Sequence, residues 1–328
     1  MKKTLLALAV LGACAGSAYA QTSITVYGLV DMGYVHDSGG IAGGNVNSLN
    51  SGIQSGSRLG FKGMEDLGGG LSAIFTLESG ILVDTGAYDS TPGFGRQAFV
   101  GLNGDFGTVK LGRQYNPLYN VQIAIDPFAA GLAGDFRRVI STAGQRTSNA
   151  VTYATPDGIG GFRAEGLYAF GEQPGDSSKL RSTGLSVGYL NGPVYVSAAY
   201  HNANDVTGTD ATRNIALGGT YNFGFMKLAT LIQTNKNDST LDTRDWLFGV
   251  SAPFGASTVM ASYIRHQDKL VTNGDSNQFA IGYSYALSKR TNLYTSVSRL
   301  TNESGASLKV AVPGDADTIY NAGIRHAF

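Results

Sequence analysis

Two stretches of this chain carry the residue types of hydrolase chemistry. Gly184-Leu185-Ser186-Val187-Gly188 matches the nucleophile-elbow pattern G-x-S-x-G, and His36-Asp37-Ser38 sets the three side chains of an acyl-transfer triad side by side. An elbow works only where a strand turns sharply into a helix and throws the serine oxygen out of the sheet. Ser186 sits instead inside the alternating run Thr183, Leu185, Val187, Tyr189, which predicts an unbroken strand. Three consecutive residues cannot converge as a triad, whose members come from separate elements. His36, His201, His266 and His326 have no metal-ligand spacing, and neither a phosphate-binding loop nor H-E-x-x-H occurs. No cofactor or metal is expected.

The remaining chemistry lies in charged side chains set into alternating runs. Arg58 and Lys62 stand opposite Leu59 and Phe61, and Glu78 ends a run in which Leu71, Ala73, Phe75 and Leu77 oppose Ser72 and Thr76. Successive strand residues point to opposite faces, so such runs have one apolar and one polar face. The last twelve residues repeat the pattern. Tyr320, Ala322, Ile324 and Phe328 share one parity, and Asn321, Gly323 and Arg325 the other. A clear instance is Phe279, Ile281, Tyr283, Tyr285 and Leu287, facing away from Gln278, Ala280, Gly282 and Ser284. The pattern blurs at Ile74, on a polar face, and over 225–234, which is apolar on both faces.

The composition fits strands with one face in lipid and one in water. The chain has 46 Gly, 17 Tyr and 15 Phe but a single Trp, and no mature segment has the apolar run of a membrane helix. A chain that spans a bilayer without such a run must be a closed barrel, which satisfies every backbone group internally. Met1 to Ala20 reads as an export signal: basic Lys2 and Lys3, apolar Leu5 to Ala13, then the cleavage site Ala18-Tyr19-Ala20. Residues 21–328 would form the mature protein. The only cysteine, Cys14, would leave with the signal, so no disulfide or catalytic thiolate is expected. Loss of Lys2 and Lys3 leaves 22 basic residues against 24 acidic ones, a balance that gives no case for nucleic acid.

The connections alternate as well. Tight links at 66–70, 103–108, 156–161, 191–193, 222–224, 253–257 and 288–290 are separated by longer polar stretches. Short turns at one end and long loops at the other are the rule for outer-membrane barrels, and the links predict about sixteen antiparallel strands in one domain. One link breaks the rhythm. Residues 114–148 are too apolar for a solvated loop, with Tyr115, Leu118, Tyr119, Val121, Ile123, Ile125 and Phe128, and they also carry Asp126, Asp135, Arg137, Arg138 and Arg146. The simplest cover for such a segment is the barrel interior, where it would narrow a channel.

Six stretches resemble the Gram-negative general porins of β-proteobacteria: 57–68 (SRLGFKGMEDLG), 96–102 (RQAFVGL), 106–114 (FGTVKLGRQ), 148–153 (SNAVTY), 285–291 (YALSKRT) and 323–328 (GIRHAF). They run in family order along the mature chain. The resemblance implies a sixteen-stranded, homotrimeric, passive, water-filled channel for small hydrophilic solutes and ions, with the third loop folded inward. It implies a constriction with Arg58, Arg96 and Arg146 on the wall, Glu78 and Asp126 as opposing acids, and Lys62 and Lys110 as lumen neighbours. It also implies lipid and lipopolysaccharide around the barrel, and outer-membrane assembly machinery that reads the terminal Phe328.

Parity places Arg58 and Lys62 in the lumen independently, since a charge on the lipid face costs roughly 2–4 kcal/mol near the midplane. Glu78 follows by the same reasoning. Arg96 does not, because Ala98, Val100 and Leu102 share its parity; its place rests on the resemblance. Arginines at the constriction would outnumber acids and give a modest anion preference. Val26, Gly28 and Val30 of the first strand, with Ala322, Gly323 and Ile324 of the last, would let neighbouring barrels pack closely. The enzyme-class rival is an outer-membrane phospholipase, and a third reading is a plugged structural or adhesin barrel.

Overall fold

The computed structural model describes residues 23–89, 92–140, 144–156 and 159–328. The expected export signal and Cys14 lie outside them. The strand segments are β1 (Ser23–Ser38), β2 (Asn45–Ser51), β3 (Arg58–Gly68), β4 (Leu71–Leu82), β5 (Ala87–Tyr88), β6 (Gln97–Gly104), β7 (Gly107–Tyr115), β8 (Arg146–Ala154) and β9 (Phe162–Ala169). They continue as β10 (Ser182–Asn191), β11 (Val194–Asn204), β12 (Ala211–Asn222), β13 (Lys227–Lys236), β14 (Asp242–Phe254), β15 (Ser257–Asp268), β16 (Ser276–Ala286), β17 (Thr291–Asn302) and β18 (Ala316–Ala327). Helix α1 (Pro117–Ile125) and a 3₁₀ turn at Phe136–Arg138 lie between β7 and β8.

All pairings are antiparallel, and β1 pairs with β18 from Leu29↔Ala327 to Ser38↔Thr318, which closes the sheet. The two halves of β1 pair with β2 and β3 in turn, so these are one barrel strand broken at 52–57, and β5 only extends the edge of β4. The closed barrel therefore has sixteen strands. The break is built by Asp31, whose carboxylate accepts the N–H groups of Gln54 and Ser55 at 2.7 and 2.6 Å and the hydroxyl of Tyr294 at 2.5 Å.

Burial runs opposite to that of a soluble sheet. On β16, Phe279, Ile281 and Tyr283 are exposed while Gln278 and Ala280, on the opposite parity, are fully buried. Apolar side chains turned outward and polar or small ones inward fit lipid outside and a lumen within. The short connections join β3–β4, β6–β7, β10–β11, β12–β13, β14–β15 and β16–β17 at one end, and the long ones gather at the other. The terminal Phe328 is part of the seam. Its N–H donates to the Gly28 carbonyl at 3.0 Å, and its carbonyl accepts the Gly28 N–H at 3.2 Å. Its ring lies where a Cβ on Gly28 would be, 2.6 Å away, so any side chain at 28 would collide with it.

Candidate functional site

The segment between β7 and β8 lies against the inner face of the opposite wall. Asn116 starts α1 by accepting the Tyr119 N–H at 2.8 Å, and Pro117 follows at the first turn, where its missing N–H costs nothing. Leu118, Val121, Ile125, Phe136 and Ile140 of the segment bury against inward-facing Ala199, Ala216, Ala229, Leu231, Leu247, Ile264 and Leu300 of β11 to β17. Each large aliphatic side chain so covered stabilises the packing by about 1.5–3 kcal/mol. This explains why 225–234 is apolar on both faces: its inner face meets the loop and not water.

Glycines make room for the approach. A Cβ at Gly218 would stand 2.9 Å from Ile125, one at Gly249 2.6 Å from Pro127, and one at Gly282 2.8 Å from Phe128. Polar ties complete the attachment. Gln122 Nε2 donates to Gln233 at 2.6 Å, Leu132 N–H to Ile53 O at 2.6 Å, Ala133 N–H to Ser296 Oγ at 2.9 Å, and Arg138 Nε to Gln278 at 3.0 Å. Arg138 also pairs with Asp317.

The uncovered wall carries the charges. Arg58, Asp89, Arg96, Tyr115, Arg137 and Arg146 line one cavity with Ala129 and Ala130 of the loop. Glu78 anchors them from behind. It accepts Arg96 Nε at 2.8 Å and Tyr27 Oη at 3.0 Å, and Arg58 lies 3.8 Å away. The Tyr115 hydroxyl accepts from Arg96 and from Arg146, both at 3.0 Å, and the Arg146 guanidinium lies 4.7 Å over the Tyr115 ring. One phenol thus fixes two guanidinium groups, by hydrogen bonds and by a cation–π contact.

The sequence-derived candidates divide three ways. Arg58, Arg96, Arg146 and Glu78 come together. Arg96 escapes the parity objection because it stands in the bend just before β6, where strand alternation does not apply. Lys62 and Lys110 lie farther along the wall, 5.3 Å over the Tyr27 ring and 5.4 Å over the Phe99 ring. Asp126 does not line the cavity. It is buried at the end of α1, where its carboxylate accepts the N–H groups of Phe128 and Ala130 at 3.1 and 2.8 Å. Burial pushes its pKa up to about 7 against the pull of those two bonds. It shapes the loop and supplies no acid opposite the arginines.

Arg137 and Tyr115, read from the sequence only as part of the 114–148 segment, and Tyr27 and Asp89, not singled out at all, join the cavity or its support. Tyr27 was readable as a large aromatic on the polar parity of β1. Asp89 lies in an irregular link with no pattern to reveal it. Ser186 is mid-strand in β10. A serine–histidine contact does occur elsewhere, between Ser182 and His201 at 3.0 Å, but both are buried and Nδ1 of His201 has no partner among the described residues to orient the ring.

A barrel with an inward segment and an arginine-lined passage agrees with the comparisons. The Gram-negative porin profile matches residues 7–305. The chain belongs to the Gram-negative porin family. It is 36% identical over 355 residues to outer membrane porin protein 32 of Delftia acidovorans and 35% identical over 398 residues to an outer membrane porin protein of Bordetella pertussis, with full coverage in both cases. Among solved structures, the anion-selective porin from Comamonas acidovorans superposes with a TM-score of 0.84 at 34% identity, covering 94% of this chain and 100% of that one. OmpF of Salmonella typhi, at 18% identity and a TM-score of 0.73, covers 93% of this chain and 97% of its own and shares the fold. This porin is therefore an outer-membrane barrel of a Gram-negative bacterium and a passive channel for small hydrophilic solutes and ions, not an enzyme. The long connections face the exterior and the short turns the periplasm.

Proposed function

We propose that the channel prefers anions modestly, and that Arg58, Arg96 and Arg146 set the preference at a constriction formed by the inward loop. The observation that carries this reading is the lining of the cavity. Among the described residues it presents four guanidinium groups, those of Arg58, Arg96, Arg137 and Arg146, and one carboxylate, that of Asp89. Asp135 is paired with Arg137 and Glu78 with Arg96, so the loop opposes the wall with no free acid there. Fixed charge at a narrow point with low-dielectric walls focuses its field on the passing ion, whereas loop charges are screened within about 8–10 Å. The preference stays modest because conduction needs binding weak enough to release. The related porin of Comamonas acidovorans is described as anion-selective, which supports the reading. Reversal potentials in a KCl gradient test it: wild type favours chloride, and Arg58→Ala and Arg96→Ala each shift the potential toward potassium. Cation selectivity in the wild type, or no shift in either variant, refutes it.

We further propose a homotrimer packed through the walls near the chain ends, where Val26, Val30 and Ile324 are exposed on the outer face. Gly323 contributes nothing to that wall, since it faces inward beneath the Tyr294 hydroxyl, and Gly28 is filled by Phe328. The first 20 residues are removed on export, lipid and lipopolysaccharide surround the barrel, and the assembly machinery reads Phe328. Mass measurement in mild detergent showing only monomer contradicts the trimer, and normal surface levels after deletion of Phe328 contradict the last role.

A further inference from the structure

We infer that Asp31, which does not line the passage, is a positioning residue for its ion preference: it pins the strand break at 52–57, and the break in turn holds Arg58 and the tip of the inward loop. This rests on the anion reading above, in which the arginine wall sets the preference. The break reads Gly52-Ile53-Gln54-Ser55-Gly56-Ser57, a composition that favours turns over a strand. Asp31 fixes it from the lumen parity of β1, with no exposed surface of its own. Its main-chain N–H donates to Ser57 Oγ at 3.0 Å, and its carbonyl accepts the Gly52 N–H at 2.9 Å and the Ser57 hydroxyl at 3.2 Å. With the carboxylate bonds to the Gln54 and Ser55 N–H groups, one residue ties four of the six positions. The other carboxylate oxygen takes the hydroxyl of Tyr294, which stands on β17 across the closing strand β18. A carboxylate shut away from water is stable only with such donors, and each of these bonds is roughly twice as strong as a neutral one.

The break touches both parts of the passage. The Gly56 carbonyl accepts Arg58 Nε at 2.9 Å, and the Arg96 guanidinium lies against Gly56, 2.8 Å from where a Cβ would stand. On the other flank the Ile53 carbonyl accepts the Leu132 N–H of the loop. Gly131 approaches so closely that a Cβ there would stand 2.1 Å from the Gln54 carbonyl oxygen. Asn292 of β17 donates to Gln54 Oε1 at 2.8 Å and braces the break from the opposite side. A released Arg58 has somewhere else to go. Glu78 stands 3.8 Å away, so without the Gly56 carbonyl the guanidinium closes onto that carboxylate and its charge is lost to the passage.

Charge and position predict opposite signs for Asp31. Removing an acid, if it acted through its field alone, would favour chloride. Losing the position of the break withdraws Arg58 and favours potassium. The two can be separated by substitution. Asparagine keeps an oxygen for the Gln54 and Ser55 N–H groups and turns its amide to the Tyr294 hydroxyl, which can accept. Alanine keeps neither contact.

The test uses the full chain in planar bilayers, with reversal potentials in a KCl gradient for the wild type, Asp31→Ala, Asp31→Asn, Tyr294→Phe and Arg58→Ala, and unfolding midpoints measured in parallel. Asp31→Ala should shift the potential toward potassium by an amount comparable with Arg58→Ala, and should raise open-channel noise as the loop tip loosens. Tyr294→Phe, which removes one of the carboxylate's donors, should shift it the same way by less. Asp31→Asn should keep or increase the chloride preference, whatever its midpoint. An Asp31→Ala shift toward chloride, or an Asp31→Asn shift toward potassium as large as that of Asp31→Ala, overturns the inference. A lowered midpoint in Asp31→Ala with an unmoved potential is a purely structural role and overturns it too. If Asp31→Ala does not fold, Tyr294→Phe decides: a shift toward potassium supports the inference, and an unmoved potential overturns it. Arg58→Ala keeps the two readings apart. A shift there with none in Asp31→Ala removes this role and leaves the anion reading standing, whereas no shift in Arg58→Ala removes the arginine wall and this role with it.

Discussion

From β10 to β17 most of the inward positions nearest the loop are small or apolar and lie beneath it; from β3 to β8 they include charged residues open to the cavity. Both halves obey one alternation, with lipid-facing apolar residues on one parity. What differs is the inner parity. Alanine, leucine and glycine there make a seat, with Ala216, Leu231 and Gly249 under α1 and Pro127. Arginine and glutamate there make a passage, with Glu78 held by Tyr27 and Arg58 standing 3.8 Å from it. The lumen is therefore specified twice by one strand code, once as a surface for protein and once as a surface for ions. The second depends on the first, because only a seated loop brings Ala129, Ala130 and Arg137 against the charged wall.

The sharpest way to break this dependence is to fill the seat. Leucine at Gly249 would drive its side chain into Pro127, and overpacking of this kind costs about 1–3 kcal/mol. The expected result is a detached loop in a barrel that is otherwise intact. Trypsin should then cut after Arg137 or Arg138 in Gly249→Leu and leave the wild-type segment whole, and the conductance of the variant should rise. An uncut variant with wild-type conductance would show that the seat does not hold the loop.

The passage can be altered without touching the seat. Glu78 is buried with Arg96 and Tyr27 as partners, and removing one member of a buried pair leaves the other uncompensated, typically at about 3–5 kcal/mol. Glu78→Gln should lower the unfolding midpoint in denaturant and shift the reversal potential further toward chloride. Tyr115→Phe keeps the ring under Arg146 but removes the shared acceptor, so its expected shift is smaller and toward potassium. If both variants moved the potential in the same direction, the charge assignment at the wall would be wrong.

The contrast also accounts for what the sequence could reveal. Strand number, six of the seven tight turns and the sidedness of Arg58 and Glu78 were legible because they depend on local alternation, which each strand writes for itself; the seventh, at 156–161, lies partly outside the described residues. The apolar character of 114–148 announced burial. It did not announce which wall would cover it, since that wall is set by side chains up to 179 residues away, as with Arg138 and Asp317. Asp126 was misplaced for the same reason: an acid on an inward loop can face the passage or cap its own backbone, and only the turn geometry decides. Arg96 shows the converse, with parity failing one residue before the strand begins.

Asp126 gives the seat a pH response. Its burial lifts the carboxyl from the usual 3.8 to about 7 in the packed loop, with Asp135 adding to the lift and Arg137 opposing it. The packed loop therefore holds that proton more tightly than a detached loop does. The extra stability is complete below the ordinary carboxylate range and is lost as pH rises through about 7. Open-channel noise should be lower at pH 6 than at pH 8 in the wild type. In Asp126→Asn, whose amide oxygen still accepts the Phe128 and Ala130 N–H groups, the noise should not change between the two. A wild type with equal noise at both values would remove Asp126 from the account.

The smallest effect is expected from Lys62→Gln, and it sharpens the boundary of the passage. Lys62 shares a strand and a parity with Arg58 but lies four residues away, about 13 Å at the rise of a strand. That exceeds the screening length of about 8–10 Å at physiological salt, whereas Arg58 itself lines the cavity. Its ammonium is also partly occupied by the Tyr27 ring, 5.3 Å away. At physiological salt the reversal potential of Lys62→Gln should match the wild type. In dilute KCl, where screening reaches about 30 Å at 0.01 M, a small shift toward potassium should emerge. A shift as large as that of Arg58→Ala at physiological salt would extend the passage down β3 and end the separation between a charged aperture and a merely solvated wall.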